Sequence, residues 1–191
     1  IFPMVPGHEI VGEVTAVGSA VSKFQVGERV GVGTFVDSCR TCEYCKLGME
    51  NYCLTGNVQT YNGRHYDQTP TYGGYAQDIV VDQNYVLKVS EKIDAAGAAP
   101  LLCAGVTLWS PLKHWQVGPG KKVAILGLGG LGHMGVKFAA AMGAETYVLG
   151  HSPAKAEDAK AFGAKAYVLT TDAIENHKNF FDVIINTTSA D

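Results

Sequence analysis

The chain has 191 residues, of which 47% are hydrophobic, 17% charged and 23 glycine, and its formal net charge is −3. That is enough apolar material for one large domain or two small ones, while the lack of any lysine- or arginine-rich run argues against nucleic acid or an anionic membrane as a partner. No apolar run reaches the roughly 18–20 residues of a membrane span, and no charged-then-apolar leader opens the chain, so we expect a cytoplasmic protein. The opening Ile1-Phe2-Pro3, with no starting methionine, reads as the interior of a longer protein.

Residues 10–36 read as short strands. Val11, Val14, Val17, Val21, Phe24, Val26, Val30, Val32 and Phe35 are interrupted by glycines at 12, 18, 27, 31 and 33. Such runs predict a small β-barrel or sandwich. The cysteine-rich stretch 39–53 and the polar stretch 55–74 read as loops, and 73–89 as strand, turn, strand. Near residue 94 an alanine- and leucine-rich segment with helical spacing begins, with Asp94 placed to cap it and Gly118-Pro119-Gly120 to break it. From 122 the pattern is strand (122–127), glycine turn, helix closed by Gly143, strand (146–150), helix (153–164) and two further strands at 166–169 and 182–186. Strand alternating with helix predicts parallel βαβ units, so an all-β part (1–93) precedes an α/β part (94–191).

Four of the five cysteines, Cys39, Cys42, Cys45 and Cys53, fall in one loop with spacing C-x2-C-x2-C-x7-C. Two intervening residues let a loop turn two sulfurs onto one ion at roughly 2.3 Å, and four thiolates close a tetrahedral site with no vacant position. Adjacent cysteines at this spacing are too tightly placed to pair easily as disulfides. Disulfides and an iron–sulfur cluster are the alternatives, and a structural zinc is the expectation.

Gly127, Leu128, Gly129, Gly130, Leu131 and Gly132 form G-x-G-x-x-G between a strand and a helix, the setting in which this pattern binds a dinucleotide. Gly127 permits the turn, Gly129 lets backbone approach a pyrophosphate, and Gly132 lets helix pack on strand. The helix N-terminus offers unpaired N–H groups to the phosphates. NAD-binding folds usually end the second strand in an acid that holds the ribose 2′-hydroxyl. Here that strand ends at Gly150, followed by His151, Ser152 and Lys155, with no acid before Glu157. A hydroxyl and an ammonium suit a 2′-phosphate, which points to NADP; the alternative is a merely solvated Lys155.

Residues 6–21 hold His8 and Glu9 between a Pro-Gly turn and a strand. Alone, His8 reads as structural or solvated, and Cys103 as a small buried hydrophobe. His65, His114, His133 and His177 read as structural or surface groups.

Taken in order, G-H-E-x2-G-x5-G-x2-V, the four-cysteine lobe, the stretch from Cys103 to Trp115 and the glycine turn resemble the zinc-dependent medium-chain alcohol dehydrogenases. Within them the chain is most similar to the cinnamyl alcohol dehydrogenase branch with its bacterial broad-specificity aldehyde reductases. The resemblance implies a GroES-like β-barrel catalytic domain, followed by a Rossmann-type doubly wound parallel sheet, each partial here. It implies two zinc ions per full-length subunit. The catalytic one is held by His8 and Cys103, with Glu9 beside it and a further cysteine upstream of this chain; the second is held by the quartet. It implies cofactor contacts from Thr107, the glycine turn, His151, Ser152, Lys155 and, with less force, Thr187. Gly150 departs from the serine common at that place.

The implied reaction is hydride exchange between NADP(H) and a primary alcohol or aldehyde, with homodimers or homotetramers of the full-length protein. Met49, Tyr52 and Val58 lie in or near the lobe. Val58 falls where plant members carry a bulky aromatic substrate contact, which favours a broad substrate range. The rivals are a zinc-free quinone reductase on the same fold and a zinc- and nucleotide-binding scaffold without chemistry. We expect these 191 residues alone to be inactive.

Overall fold

The structure is a computed structural model that describes residues 2–189. The chain divides into two compact units, Ile1–Cys103 and Ala104–Asp191.

In the first unit, β1 (Ile10–Glu13), β2 (Arg29–Val32), β3 (Phe35–Asp37), the single turn α1 (Glu43–Lys46), β4 (Val58–Gln59), β5 (Leu87–Lys88) and α2 (Ala95–Ala98) follow in order. Strands β1, β2 and β5 form an antiparallel sheet in the order β1-β2-β5, with Ile10 opposite Val32, and β3 pairs β4. Val32, Val36 and Val58 are buried together, with Ile10, Val81 and Val86 packed on them. Each such side chain contributes about 1.5–3 kcal/mol when fully removed from water.

The strands are fewer and shorter than the apolar runs predict. Residues 14–28 form turns and irregular backbone, and 73–89 yields only the two residues of β5 after a short 3-10 turn at Gln83–Tyr85. An extended segment becomes a strand only when a neighbour takes its N–H and C=O groups. Among the described residues 76–82 have no such ladder, and Val80 is 98% exposed.

The helix expected from residue 94 is broken. Asp94 caps α2 as expected, accepting from the Gly97 N–H at 2.9 Å. Pro100 then opens a 3-10 turn, Ala99–Leu102, and Cys103 leaves the helical region at φ −130° before α3 (Ala104–His114) begins. The turn packs onto β1 and β2, where Gly31 and Gly33 make room; a Cβ on Gly33 would meet the Leu102 carbonyl oxygen at 3.0 Å. This packing carries the first unit through Cys103.

The second unit continues with β6 (Lys122–Leu126), α4 (Gly130–Ala141), β7 (Glu145–Gly150), α5 (Ala156–Ala161), β8 (Ala166–Leu169), α6 (Thr170–Asn176) and β9 (Val183–Asn186). The four strands are parallel in the order β8-β7-β6-β9. Parallel sheets are buried on both faces, and β6 alternates accordingly. Val123 and Ile125 join Leu112, Val136, Ala139, Val148 and Ala159 on one side; Ala124 joins Tyr147, Leu149 and Val168 on the other. Glycines with positive φ at 143 and 163 close α4 and α5. In sequence terms the order is 3-2-1-4, the first two-thirds of a dinucleotide-binding sheet. Neighbouring crossovers diverge between β6 and β9, which opens a crevice at the carboxyl ends of those strands. Among the described residues no single helix is long and apolar enough to cross a membrane.

Candidate metal and dinucleotide sites

The loop between β3 and β4 folds so that the ligand atoms of Cys39, Cys42, Cys45 and Cys53 all lie within 4.8 Å of one another. Cys42 caps α1 and Cys45 lies inside it. The Cys39 and Cys45 sulfurs are 3.9 Å apart, and all five cysteines are free thiols. A tetrahedral ion with bonds of about 2.3 Å sets its sulfurs roughly 3.8 Å apart, whereas a disulfide needs about 2.05 Å. Number, softness and spacing of the donors therefore fit zinc.

The surroundings favour the thiolate at Cys39 and Cys53 and oppose it at Cys45. Backbone N–H groups of Thr41 and Cys42, then the Thr41 hydroxyl, hold Cys39 down at about 5. The Thr55 hydroxyl and the Cys39 N–H lower Cys53. The Ser38 hydroxyl pulls Cys45 down, but burial and the neighbouring Cys42 and Cys53 sulfurs outweigh it and push that thiol to about 11. A bound cation would displace the proton from Cys45.

Sequence reasoning missed the outer groups. Ser38 Oγ lies 3.2 Å from the Cys45 sulfur and 2.7 Å from the Tyr85 hydroxyl, and Arg40 bridges Asp37 (2.8 Å) and Asp82 (3.0 Å). Gln83 Oε1, two residues from Tyr85, accepts from the Ser22 and Lys23 N–H groups at 3.1 Å. Thr41 and Thr55 flank cysteines and were visible locally; Tyr85 and Asp82 had no local signal.

His8 and Glu9 line a cleft of about 490 Å³ with Tyr61, Tyr75, Ala95 and Ala99, and the His8 ring sits 5.5 Å from that of Tyr61. Burial raises the Cys103 thiol, and the charge of Glu9 raises it further, so Glu9 and Cys103 lie within electrostatic reach. Among the described residues the quartet is the one cluster of three or more metal-ligating side chains; His8, Glu9 and Cys103 do not form a second.

In the second unit the glycine turn joins β6 to α4 at the crevice between β6 and β9. Gly127 has φ +90°, and a Cβ there would lie 2.6 Å from Thr188 Cγ2. A Cβ on Gly132 would overlap the Gly127 carbonyl oxygen and lie 3.1 Å from Thr187 Oγ1. Gly129 and Gly130 are different: a Cβ on either meets no atom within 4 Å. Their lack of side chains clears space that the protein leaves open, in front of the first N–H groups of α4. That cradle fits a pyrophosphate. Thr187 pins the turn from β9, its hydroxyl donating to the Leu126 carbonyl at 2.9 Å. Thr107 lies on the exposed side of α3, opposite the buried Leu108 and Leu112. Leu128 packs against the core and Leu131 is half-buried.

At the end of β7, Lys155 Nζ donates to the Leu128 carbonyl at 2.7 Å, tying the ammonium to the glycine turn. Ser152 caps the 3-10 turn Pro153–Lys155, and His151 Nδ1 is 3.1 Å from the Thr170 hydroxyl. All three are exposed, with no carboxylate among residues 150–155.

Val58, where plant members carry a bulky aromatic group, is a small side chain on the inner face of β4. It is 4% exposed and packed with Val32 and Val36, because strand alternation in β4 turns Val58 inward and Gln59 out. Met49 and Tyr52 are exposed. His114 packs against Trp115, His133 against Phe162, and His177 against Phe180 and Phe181, with its Nδ1 3.6 Å from Asp172. The His65 backbone N–H donates to the Thr69 carbonyl at 2.9 Å.

Residues 1–91 match the alcohol dehydrogenase GroES-like domain and residues 130–191 the zinc-binding dehydrogenase domain. The chain is 57% identical over 192 residues to NADP-dependent alcohol dehydrogenase C 1 of Mycolicibacterium smegmatis, covering 99% of this chain and 55% of that protein. It is 53% identical to aldehyde reductase YahK of Escherichia coli, covering 100% and 55%. The structure of a cinnamyl alcohol dehydrogenase from Sorghum bicolor superposes with a TM-score of 0.95 at 48% identity, covering 100% of this chain and 56% of that one. The chain thus spans about half the length of the curated relatives it matches.

Proposed function

From a chain that belongs to the zinc-binding alcohol dehydrogenase family, with its GroES-like and Rossmann-type domains, we propose a full-length protein that exchanges a hydride between NADP(H) and a primary alcohol or aldehyde of broad range. The observation that carries this reading is the cleared cradle over Gly129 and Gly130, beside a strand end with lysine and serine but no acid. When bound, the cofactor carries the hydride and a zinc ion acidifies an alcohol or polarises a carbonyl.

The chain's own groups take these roles. The N–H groups opening α4 hold the pyrophosphate, Lys155 and Ser152 hold the 2′-phosphate with His151 beside them, and Thr107 and Thr187 lie along the cofactor's path. His8 and Cys103 supply an imidazole and a thiolate to the catalytic zinc, with Glu9 as an adjacent negative charge. The quartet Cys39, Cys42, Cys45 and Cys53 holds a second zinc that gives its loop a core. The reading also includes a cytoplasmic location, in keeping with a thiol cluster free of disulfides, and a homodimer or homotetramer.

The test is to assay the full-length protein with NADPH and NADH against a panel of aromatic and aliphatic aldehydes, following loss of reduced nicotinamide. Several aldehydes should be reduced, with NADPH preferred by about tenfold or more, as a charge-assisted phosphate site predicts. Metal analysis should return about two zinc ions per subunit. An NADH preference, or no turnover with any aldehyde, would overturn the proposal.

A further inference from the structure

We propose that Tyr167 is a cofactor-specificity residue, its hydroxyl donating to the 2′-phosphate of NADP(H) from the place where a side chain at position 150 would begin. The proposal rests on the NADP reading above and assigns it a residue that lies on a different strand from the other 2′-phosphate groups.

Register puts Tyr167 there. It pairs with Val148 across β7 and β8, and alternate residues share a face, so its ring lies on the side of Val148 and Gly150. The ring packs against the core formed with α4 and α5. Its far end lies over Gly150: a Cβ on that glycine would be 2.8 Å from Tyr167 Cζ and would overlap the hydroxyl oxygen. Among the described residues that hydroxyl has no hydrogen-bond partner. It ends at the carboxyl end of β7, where His151, Ser152 and Lys155 are gathered.

Two consequences follow from this placement. A tyrosine hydroxyl is a donor suited to a phosphate oxygen, so it adds to the serine and lysine already there. The same atom occupies the origin of any side chain at 150. An Asp or Glu at that position, the usual acceptor for the ribose 2′-hydroxyl of NAD, would need the tyrosine to leave. Tyr167 therefore favours the phosphorylated cofactor both by contact and by exclusion.

The test uses the full-length protein and calorimetric binding of 2′,5′-ADP and 5′-AMP, which share everything but the 2′-phosphate. Tyr167→Phe removes only the oxygen. It should weaken 2′,5′-ADP about tenfold and leave 5′-AMP within about twofold. Gly150→Ala, which pushes the hydroxyl aside, should show the same selective loss. Thermal melting of both variants close to that of the parent shows that folding is intact. Unchanged 2′,5′-ADP affinity in Tyr167→Phe, or an equal loss for both nucleotides, overturns the assignment while leaving the NADP reading in place. A parent protein that binds 5′-AMP as tightly as 2′,5′-ADP overturns both.

Discussion

Replacing Gly132 by alanine should unfold more than it seems to touch. The new Cβ would overlap the Gly127 carbonyl oxygen, lie 3.0 Å from the Gly127 carbonyl carbon and 3.1 Å from Thr187 Oγ1. Non-bonded atoms settle at roughly 3.5–4.0 Å, so α4 must retreat from the turn. The nearest obstacles are backbone atoms, which have no rotamer to escape into. Overpacking typically costs about 1–3 kcal/mol, and this site belongs at the upper end. Gly129→Ala and Gly130→Ala are the internal controls, since neither new Cβ meets an atom within 4 Å. They should leave stability within about 0.5 kcal/mol, as substitutions in open space do, yet crowd the cradle and weaken NADPH binding. Urea unfolding and fluorescence titration with NADPH, both on the full-length protein, separate the two classes. A Gly132→Ala protein as stable as the parent, or a Gly129→Ala protein equally destabilised, would refute the division into packing and ligand-clearing glycines.

Cys45→Ser should lower zinc by about one ion per subunit and make 39–57 the first site of limited proteolysis, because the lobe has little core besides its metal. Val58→Ala should cost about 2 kcal/mol in urea unfolding, because the side chain is buried against Val32 and Val36; an unchanged midpoint would contradict its inward orientation. The Asp82 carboxyl is held below its ordinary 3.8 by the Asn84 N–H first and by Arg40. Its contribution is therefore complete above that value and lost as pH falls through the lowered one. Arg40→Ala should flatten part of this acid-side slope, by no more than about 1 kcal/mol because Arg40 and Asp82 are 42% and 37% exposed. Unfolding midpoints taken from neutral pH down to about pH 3 check this.

What could be read in advance was what the chain encodes locally. The cysteine spacing and the glycine turn are each written within fifteen residues, and their neighbours along the chain supply most of their geometry. The unbroken apolar run Val123–Leu126 likewise announced a buried strand. The segments 14–28 and 73–86 are as apolar as the true strands; what they lack is a partner ladder, and a partner is not a local property. The break at Cys103 was signalled by Pro100, yet the surrounding alanines and leucines favoured one continuous helix. Helix α6 went unassigned because its polar Thr170–Asn176 sequence shows no apolar stripe. Ser38 and Tyr85 touch across 47 positions, a contact that only the folded chain creates.

That contact gives the thiol loop a mechanical grip on distant turns. Cys45 leans on Ser38, Ser38 on Tyr85, and close by Gln83 fastens the backbone of Ser22 and Lys23. Oxidative injury to the sulfurs would thus not stay local: slack would pass along this chain of handholds and loosen the connection between β1 and β2.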